Sequence, residues 1–476
     1  MILAIDQGTT GTTCLVVDDA LHVVGRAYRE IGQSFPQPGW VEHDAAEIWA
    51  VTRRVAAEAI AAAGIDGAQL DGIGIANQRE TTVVWERASG RPVHPAIVWQ
   101  DRRTAARCAE LPLRLIRERT GLVPDPYFSA TKLEWILARA DRAHDELCFG
   151  TVDSWLVWKL TGGTAHVTDV TNASRTLLLD LAAGAWDDEL LALFGVDPKV
   201  LPRIVPSSGL VAEASLLGAR IPIAGIAGDQ QAALFGQGCF APGEAKATYG
   251  TGTFVLAALG EAPGEPADGL LTTAAAVAPG NAPHYAAEGS VLVGGAALQW
   301  LRDGLGLIES AAESERLATS VESTGGVSFV PALTGLGSPQ WRPDARGLIS
   351  GLTRGTTRAH LVRAALEAVA HQVADVLEAL PLEVPVLRAD GGASGNGFLM
   401  QIQADLLGCP VEVAADADAT ALGAAALAGL GVGTWADVDD VAASIRRGTG
   451  YEPRMEHGEV ERLRATWRDA VGRALL

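Results

Sequence analysis

One short arrangement occurs twice in this chain and limits what the chain can fold into. Ala4–Asp19 (AIDQGTTGTTCLVVDD) and Gly243–Leu259 (GEAKATYGTGTFVLAAL) each place a turn of Gly and Thr between two β-prone runs. The copies lie about 240 residues apart, and such a repeat indicates two related units. We therefore predict an α/β protein of two lobes, residues 1–236 and 237–476, joined just after the segment IPIAGIAGDQQAALFG.

Length and composition agree with this prediction. A chain of 476 residues exceeds the roughly 250 to 300 residues that one core serves. The net charge of −20, with no concentrated basic patch, disfavours nucleic acid and membrane surfaces as partners. The five cysteines are far apart and lack zinc-site spacing. No targeting segment or apolar run of about 20 residues is present, so we expect a cytoplasmic protein.

The first 60 residues predict a sheet followed by a helix. Three β-rich segments, Ile2–Asp6, Thr12–Asp18 and His22–Tyr28, are joined by short turns, which indicates an antiparallel meander. Asp44 and Glu47 then have the spacing of a capping box at the start of a helix.

Polar residues follow two further predicted strands. The strand Leu70–Ala76 is followed by Asn77-Gln78-Arg79-Glu80, and the strand Ile221–Ala227 is followed by Gly228 and Asp229. In α/β sheets, ligands collect at the carboxyl ends of strands. Near the C-terminus, a turn rich in Gly (Gly391–Gly397) lies between a strand and a helix, where backbone N–H groups can approach a phosphate.

These features suggest phosphoryl transfer. The chain lacks the GxxxxGK[ST], GxSxG and HExxH patterns. It has instead three Gly-rich turns and two acids at strand ends, Asp6 and Asp229. Phosphoryl transfer needs small residues around phosphates, a carboxylate near Mg²⁺ and a second carboxylate to take a proton. Ala4–Asp19 alone could equally be a plain β-hairpin, and the second Gly/Thr hairpin favours the phosphate interpretation.

The residues resemble those of a known family, the FGGY carbohydrate kinases. The resemblance runs in order from residue 2 to about residue 435. Its blocks are DQGTT (6–10), PGWVEHD (38–44), NQRETT (77–82), IVWQ (97–100), DPYFSATK (125–132), GTVDSWLVWKLTGG (150–163), TNASRT (171–176), GIAGDQQAALFGQ (225–237), TYGTGTF (248–254) and DGGAS (390–394).

The resemblance implies two actin-like, ribonuclease H-like lobes with a central cleft. It implies ATP-dependent phosphorylation of glycerol to sn-glycerol 3-phosphate, with ATP and Mg²⁺ as cofactors. Family members are often dimers or tetramers, so it also implies a homodimer or homotetramer.

The resemblance also assigns the polyol side of the cleft. Arg79 would donate to the glycerol hydroxyls and Glu80 would accept from them, although the two residues alone could form a surface ion pair. Asp229 would be the general base, although it could instead cap a helix that begins at Gln230. The remaining polyol residues would be Trp99 and Phe254 as walls, which are otherwise typical core aromatics, with a Tyr127 hydroxyl contact and Gln230 beside the base.

The nucleotide side is assigned in the same way. The residues matched to phosphates are Thr9, Thr10 and Gly11 in the first turn and Thr251 in the second. Gly295, Gln299 and Ala393 match the adenosine side, and Asp6 and Asp229 would lie near the metal.

The sequence departs from the family pattern at several positions. Thr13 stands where an Arg usually contacts donor phosphates, so one charge-assisted contact is missing. Gly397 stands where an Asn often lies on the adenine side, with Asn396 one residue earlier. The segment Ala214–Arg220 is short and keeps only Arg220, and no His occurs in residues 206–221. We therefore expect neither fructose bisphosphate control nor control by His phosphorylation.

Two alternatives remain at this point. The chain could phosphorylate another polyol or sugar, as other members of the same family do. Less favoured is an actin-like nucleotide-binding protein without transfer activity, which only the Thr13 departure supports. The set Arg79, Glu80, Trp99, Tyr127 and Asp229 disfavours this second alternative.

Overall fold

Two large mixed sheets organise the computed structural model, which describes residues 1–216, 218–264 and 267–476. The strands of the six-stranded first sheet are β1 (Ile2–Gln7), β2 (Gly11–Val17), β3 (Val23–Glu30), β4 (Gly72–Asn77), β5 (Ser208–Leu216) and β6 (Ala219–Gly228), in the order β5-β6-β4-β1-β2-β3. The strands of the seven-stranded second sheet are β7 (Ala245–Tyr249), β8 (Thr253–Gly260), β9 (Leu271–Ala275), β10 (His284–Val291), β11 (Leu387–Asp390), β12 (Val411–Ala414) and β13 (Arg447–Tyr451), in the order β9-β10-β8-β7-β11-β12-β13.

The two sheets share one topology. In the first, β1, β2 and β3 form an antiparallel meander, and β4 and β6 extend it in parallel with β1. In the second, β7, β8 and β10 are antiparallel neighbours, and β11 and β12 extend the sheet in parallel with β7. The repeated hairpin of the sequence is therefore the start of two equivalent sheets, and the predicted meander is confirmed.

Helices cover the sheets. They are α1 (Ala45–Ala62), α2 (Ala105–Cys108), α3 (Leu113–Thr120), α4 (Ser129–Leu137), α5 (Val152–Leu160), α6 (Val170–Ala173), α7 (Asp188–Phe194), α8 (Asp229–Gly236), α9 (Gly295–Gln299), α10 (Ala311–Thr319), α11 (Arg358–Glu378), α12 (Gly397–Leu407), α13 (Ala419–Val432), α14 (Val438–Ser444) and α15 (His457–Ala474). Short strands pair outside the main sheets at Glu42–His43 with Ala96–Ile97, Val83–Glu86 with Leu147–Gly150, Val167–Asp169 with Arg203–Val205, Leu179–Asp180 with Ala185–Trp186, and Ser328–Val330 with Leu348–Ser350.

Alternating side chains of β1 contact two different cores. Leu3 and Ile5 pack with α1 and α5 on one face of the sheet. Ile2 and Ala4 pack on the other face with α13, a helix from the C-terminal part of the chain. Such alternation is the expected consequence of the two-residue period of a strand. Both faces of the first sheet are thus buried.

Helix α13 approaches the first sheet closely because both surfaces consist of small residues. A Cβ placed on Gly74 of β4 would lie 2.0 Å from the carbonyl oxygen of Ala424, and one on Gly423 would lie 1.8 Å from the carbonyl oxygen of Ala232 in α8. Any larger residue would push α13 away from β4 and α8. The C-terminal part of the chain is therefore docked tightly against one face of the first sheet.

The start of α1 differs in detail from the prediction. Asp44 caps the helix by accepting a bond from the Ala46 N–H at 2.8 Å, as expected. The Glu47 side chain, however, accepts from the Gly32 N–H at 3.2 Å. The capping box is therefore incomplete, because Glu47 ties α1 to the chain that follows β3.

The cysteines and the apolar helices also bear on the sequence predictions. All five cysteines are buried and free. Across the described ranges, no helix combines the length and apolar character that a membrane crossing requires.

Candidate active site

Three parallel strands of the first sheet end at the same level. In the register, Asn77 of β4 lies opposite Gln7 of β1 on one side and opposite Gly228 of β6 on the other. Arg79 and Asp229 come directly after two of these strand ends. The sheet therefore brings them to one edge, which is the usual ligand edge of an α/β sheet.

Arg79 lies at the centre of this edge, with a side chain 2% exposed. Its Nε is 3.3 Å from Asp229 Oδ1 and 3.7 Å from Glu80 Oε1. Its Nη1 and Nη2 donate to Glu288, and Nη2 also donates to the Tyr127 hydroxyl at 3.1 Å. Burial alone would lower the pKa of Arg79, but the carboxylates, Glu288 foremost, raise it well above its usual value. Arg79 is a permanent cation in this site.

Glu80 is held in an uncommon backbone conformation, with φ at 60°. Its carbonyl oxygen accepts bonds from Ser129 Oγ at 3.0 Å and Thr82 Oγ1 at 3.1 Å. Its side chain is 2% exposed and accepts from Arg175 Nε at 2.7 Å. The surface ion pair that the Arg79-Glu80 dipeptide allowed is therefore absent, because both side chains are buried.

Asp229 begins α8, and its side chain is 28% exposed. Its Oδ1 accepts from the Gln230 N–H at 2.7 Å, so it contacts the helix start as well as Arg79. The Gln230 side chain is in turn fixed by the ammonium of buried Lys246, which donates to Gln230 Oε1 and, at 2.8 Å, to Thr248 Oγ1. Among the described carboxylates that contact Arg79, Asp229 is the one appreciably open to solvent.

Aromatic side chains border the strand edge that holds Arg79 and Asp229. The ring of Trp99 meets Tyr127 edge-on at a centroid distance of 5.5 Å and Phe254 at 6.2 Å. Trp99 Nε1 donates to Thr9 Oγ1 at 2.9 Å. Because Thr9 lies in the first Gly/Thr turn and Phe254 follows the second, Trp99 connects the turns of both sheets. The Tyr127 loop is held by Lys132, whose Nζ donates to the Tyr127 carbonyl at 2.6 Å.

The first Gly/Thr turn, which is predicted to bind phosphates, is compact and partly open. The Gly8 N–H donates to the Gly11 carbonyl at 2.9 Å, closing the turn that contains Thr9 and Thr10. Thr10 is exposed, and a Cβ on Gly11 would lie 2.5 Å from the Arg29 carbonyl oxygen. Only a residue without a side chain fits there.

The second and third turns adjoin each other. The carbonyl of Thr251 accepts from the Gly294 N–H at 2.9 Å, and the Gly295 N–H at the start of α9 donates to Gly250 at 2.8 Å. In the third turn, Gly391 has φ at 87°, and a Cβ there would lie 2.7 Å from the Tyr249 carbonyl oxygen.

Ala393 and Gln299 are the other two residues that the resemblance assigns to the adenosine side. Ala393 follows in the third turn, where its carbonyl accepts from the Asn396 N–H at 3.1 Å. Gln299, the last residue of α9, is exposed and lies one helical turn after Gly295.

The acids predicted to lie near a metal are close enough to interact. The pKa of Asp6 is raised to about 8, first by burial and then by the charges of Asp229 and Asp418. An acid held among other carboxylates without a compensating cation suits a site that binds one, and oxygen ligands suit Mg²⁺. Among the residues that the structure describes, no cluster of three or more potential ligands is complete. Asp6 and Asp229 are therefore the two predicted carboxylates that would hold a Mg²⁺ here.

Several residues of the site were not predicted from the sequence. Arg175 and Glu288 both bond to the predicted polyol residues, and Gln231 accepts from Arg79 Nη1 at 3.2 Å. Arg175 lies in the quoted block TNASRT, so a basic residue inside a family block was an available signal. Glu288 lies in no quoted block, and only the tertiary fold places it here.

Comparison with known proteins agrees with this geometry. Residues 1–236 match the N-terminal domain model of the FGGY family of carbohydrate kinases, and residues 245–432 match the C-terminal domain model. The chain belongs to the FGGY family of carbohydrate kinases. As in the sequence prediction, this FGGY chain has two actin-like lobes.

Individual relatives are similar over their whole length. The chain is 52% identical to glycerol kinase 2 of Thermotoga maritima, covering 100% of this chain and 98% of that protein. It is 54% identical to glycerol kinase of Leptothrix cholodnii, covering 99% and 98%. The crystal structure of Plasmodium falciparum glycerol kinase with ADP superposes with a TM-score of 0.94 at 35% identity, covering 100% and 98%. The crystal structure of xylulose kinase from Rhodospirillum rubrum superposes with a TM-score of 0.86 at 28% identity, covering 99% of this chain and 97% of that one.

The departures from the FGGY pattern have structural counterparts. Thr13 is half-buried in β2, opposite Asp6. Asn396 caps α12 by accepting from the Leu399 N–H at 3.0 Å, and a Cβ on Gly397 would lie 2.8 Å from Glu315 Oε1. The segment Ala214–Arg220 lies where β5 and β6 meet, and its residue 217 lies outside the described residues.

Proposed function

We propose that this chain transfers the γ-phosphoryl group of ATP to glycerol, giving sn-glycerol 3-phosphate, with Asp229 as the general base. The observation that carries the proposal is the meeting of Arg79, Glu80 and Asp229 at one strand edge, in a chain similar throughout to glycerol kinases. The greater similarity to glycerol kinases than to xylulose kinase disfavours another sugar as the main substrate.

The polyol pocket pairs donors with acceptors. Arg79 would donate to hydroxyl oxygens, and the Glu80 carboxylate would accept from hydroxyl groups. An unpaired polar group in a buried site costs about 1 to 3 kcal/mol, so a small triol needs each hydroxyl matched. Trp99 and Phe254 would cover the carbon chain, and Tyr127, already bonded to Arg79, would add one hydroxyl contact.

The proton of the attacking hydroxyl would pass to Asp229. This carboxylate is oriented by its contact with Arg79, and its partial exposure leaves room for a hydroxyl to approach. Gln230, fixed by Lys246, lies beside it. Asp6 and Asp229 would hold Mg²⁺, directly or through water, and the ion would neutralise charge on the transferring group.

The nucleotide would lie across the three Gly-rich turns. Thr9, Thr10 and Gly11 in the first lobe and Thr251 in the second present small residues to the phosphates, and Gly295, Gln299 and Ala393 would contact the adenosine. We place the boundary between the lobes after Gly236. Closure of the lobes would exclude water, so that glycerol and not water receives the phosphoryl group.

A coupled assay of ADP release with a polyol panel tests this proposal. The purified chain is given ATP with glycerol, dihydroxyacetone, erythritol or xylulose. We expect the highest kcat/KM with glycerol and little turnover without a polyol. An equal or better rate on a longer substrate would replace the glycerol assignment, and ATP turnover that no polyol alters would exclude transfer activity.

A further inference from the structure

A cluster of four charges lies under the candidate polyol pocket. Its members are Arg79, Glu80, Arg175 and Glu288, each with a side chain no more than 2% exposed. Glu288 contacts both cations: its Oε2 lies 2.5 Å from Arg79 Nη1, and its Oε1 lies 2.9 Å from Arg175 Nη2. Arg175 Nε then reaches Glu80 Oε1 at 2.7 Å. The cluster contains two cations and two anions, and Arg79 connects it to a further carboxylate, Asp229, at 3.3 Å.

Glu288 comes from a different part of the fold than the other three. Arg79 and Glu80 follow β4 of the first sheet, and Arg175 follows α6. Glu288 lies on β10 of the second sheet, where its neighbours across the strands are Leu256 and Leu271. Burial raises the pKa of Glu288, but Arg175 and Arg79 outweigh it and lower the pKa to about 2. The second sheet therefore inserts a permanent anion between two cations of the first lobe.

The geometry restricts Arg79 to one orientation. Glu288 binds both terminal nitrogens, with Arg79 Nη2 at 3.1 Å from Glu288 Oε1 in addition to the Nη1 contact. This bidentate arrangement fixes the plane of the guanidinium group, so that Nε faces Asp229. Without Glu288, Arg79 would be free to turn its terminal nitrogens toward Glu80 or Asp229, the two carboxylates that the substrate needs.

Stability alone is a weak reason for such a cluster. Buried ion pairs lose much of their attraction to desolvation, and apolar residues of similar size often serve the fold as well. The burial of these charges is costly in desolvation. Arg175 and Glu288 lie directly behind Arg79 and Glu80, the two proposed polyol residues. A role in orienting those residues accounts for the position of the charges, which a purely structural role does not.

We propose that Glu288 is a positioning residue for the polyol site. It orients Arg79 directly, and it orients Glu80 through Arg175. The polyol pocket of the first lobe is therefore complete only with a carboxylate supplied by the second sheet. This inference rests on the proposed glycerol kinase function.

The first test is the substitution Glu288→Gln in the full chain, with KM and kcat measured for glycerol and ATP. We expect the KM for glycerol to rise at least tenfold while the KM for ATP stays within twofold, and glycerol to raise the Tm less than in wild type. Glu288→Asp keeps the charge and should recover part of the glycerol affinity. Asp375→Asn is the control, because Asp375 forms a buried ion pair with Arg464 at 2.5 Å on the side of α11 facing α15. This control should leave both KM values unchanged.

The double variant Glu288→Gln/Arg175→Gln separates positioning from stability. It removes one charge of each sign and leaves Arg79 with Glu80, so the Tm should recover toward the wild-type value while the KM for glycerol stays high. Recovery of both would show that the cluster only supports the fold and would overturn the inference. If Glu288→Gln does not fold, Glu288→Asp and Arg175→Lys decide, since a purely structural role predicts unchanged glycerol KM in the folded variants.

The two proposals fail in different ways. Wild-type protein without glycerol-dependent turnover would overturn the proposed function. Active wild-type protein together with a Glu288→Gln variant of normal glycerol KM would overturn only the positioning role.

Discussion

Arg79 Nε lies 3.3 Å from Asp229 Oδ1, although the two residues follow different strands of the first sheet. The contact depends on Gly228, the residue that precedes Asp229 and faces the side chain of Arg79. A Cβ on Gly228 would lie 2.7 Å from both Cγ and Cδ of Arg79, so the arginine stem crosses the space that a side chain at position 228 would occupy. The absence of a side chain at the end of β6 is what allows the two groups to meet.

We therefore expect Gly228→Ala to displace Arg79 and weaken glycerol use. The added methyl group meets the buried part of the arginine stem, which Glu288 and Tyr127 hold in place. The kcat/KM for glycerol should fall at least tenfold in steady-state assays. Gly472→Ala in α15 is the matched control, because a Cβ there meets nothing within 4 Å. Equal activity of both variants would mean that Arg79 is not held as described.

Trp99→Phe should weaken ATP binding more than glycerol binding. A smaller aromatic ring remains to cover the glycerol chain, but the bond from Trp99 Nε1 to Thr9 Oγ1 is lost, and a neutral hydrogen bond contributes about 0.5 to 1.5 kcal/mol. We expect the KM for ATP to rise about 2- to 10-fold. Trp186→Phe loses a comparable bond, to the Pro202 carbonyl at 2.9 Å, and should change neither KM. A larger effect on glycerol than on ATP would contradict the assignment of Thr9 to the phosphate turn.

Thr13→Arg should improve the use of ATP. The side chain at position 13 stands beside the first turn, opposite Asp6, where the family usually has a cation. A charge-assisted hydrogen bond contributes about 1.5 to 3 kcal/mol, so the KM for ATP should fall about tenfold or more. Thr13→Gln, which is long but uncharged, is the control. An unchanged or higher KM for ATP in the arginine variant would show that the first turn does not hold phosphates as proposed.

Asp153→Asn should change the pH dependence of stability. The pKa of Asp153 is raised from 3.8 to about 6, first by burial and then by Asp169. Between these values the folded protein holds a proton that the unfolded chain releases, so wild-type stability falls as the pH rises through this window. Between pH 4 and 7, the free energy of unfolding of the variant relative to wild type should therefore increase by on the order of 1 to 3 kcal/mol. The Tm of the variant relative to wild type should increase over the same range. Asp469→Asn, at an exposed position, should show no such trend.

Much of the fold was predictable because local signals and topology agree. The paired Gly/Thr hairpins appear as β1–β2 and β7–β8, each at the start of an equivalent sheet. Glu47 was misassigned because its reach to Gly32 is a tertiary contact, which helix-start spacing does not encode.

The candidate site was predictable where its residues follow strand ends. Arg79, Glu80 and Asp229 come together because parallel strands share an edge. Glu288 was not predictable in this way, since it lies within a strand between two pairs of small residues and meets Arg79 only through the packing of the second sheet against the first lobe. The burial of Arg79 and Glu80 was likewise not predictable, because two adjacent charged residues in a sequence fit an exposed ion pair equally well.

The most direct measurement is the glycerol-dependent rate of the Asp229→Asn variant beside that of wild type. The asparagine can still accept the bond from the Gln230 N–H, so the Tm should stay close to the wild-type value. We expect wild type to release ADP only when glycerol is present, and the kcat of the variant to be lower by a factor of about 10² to 10⁴. A folded Asp229→Asn variant with near-normal kcat would contradict the account.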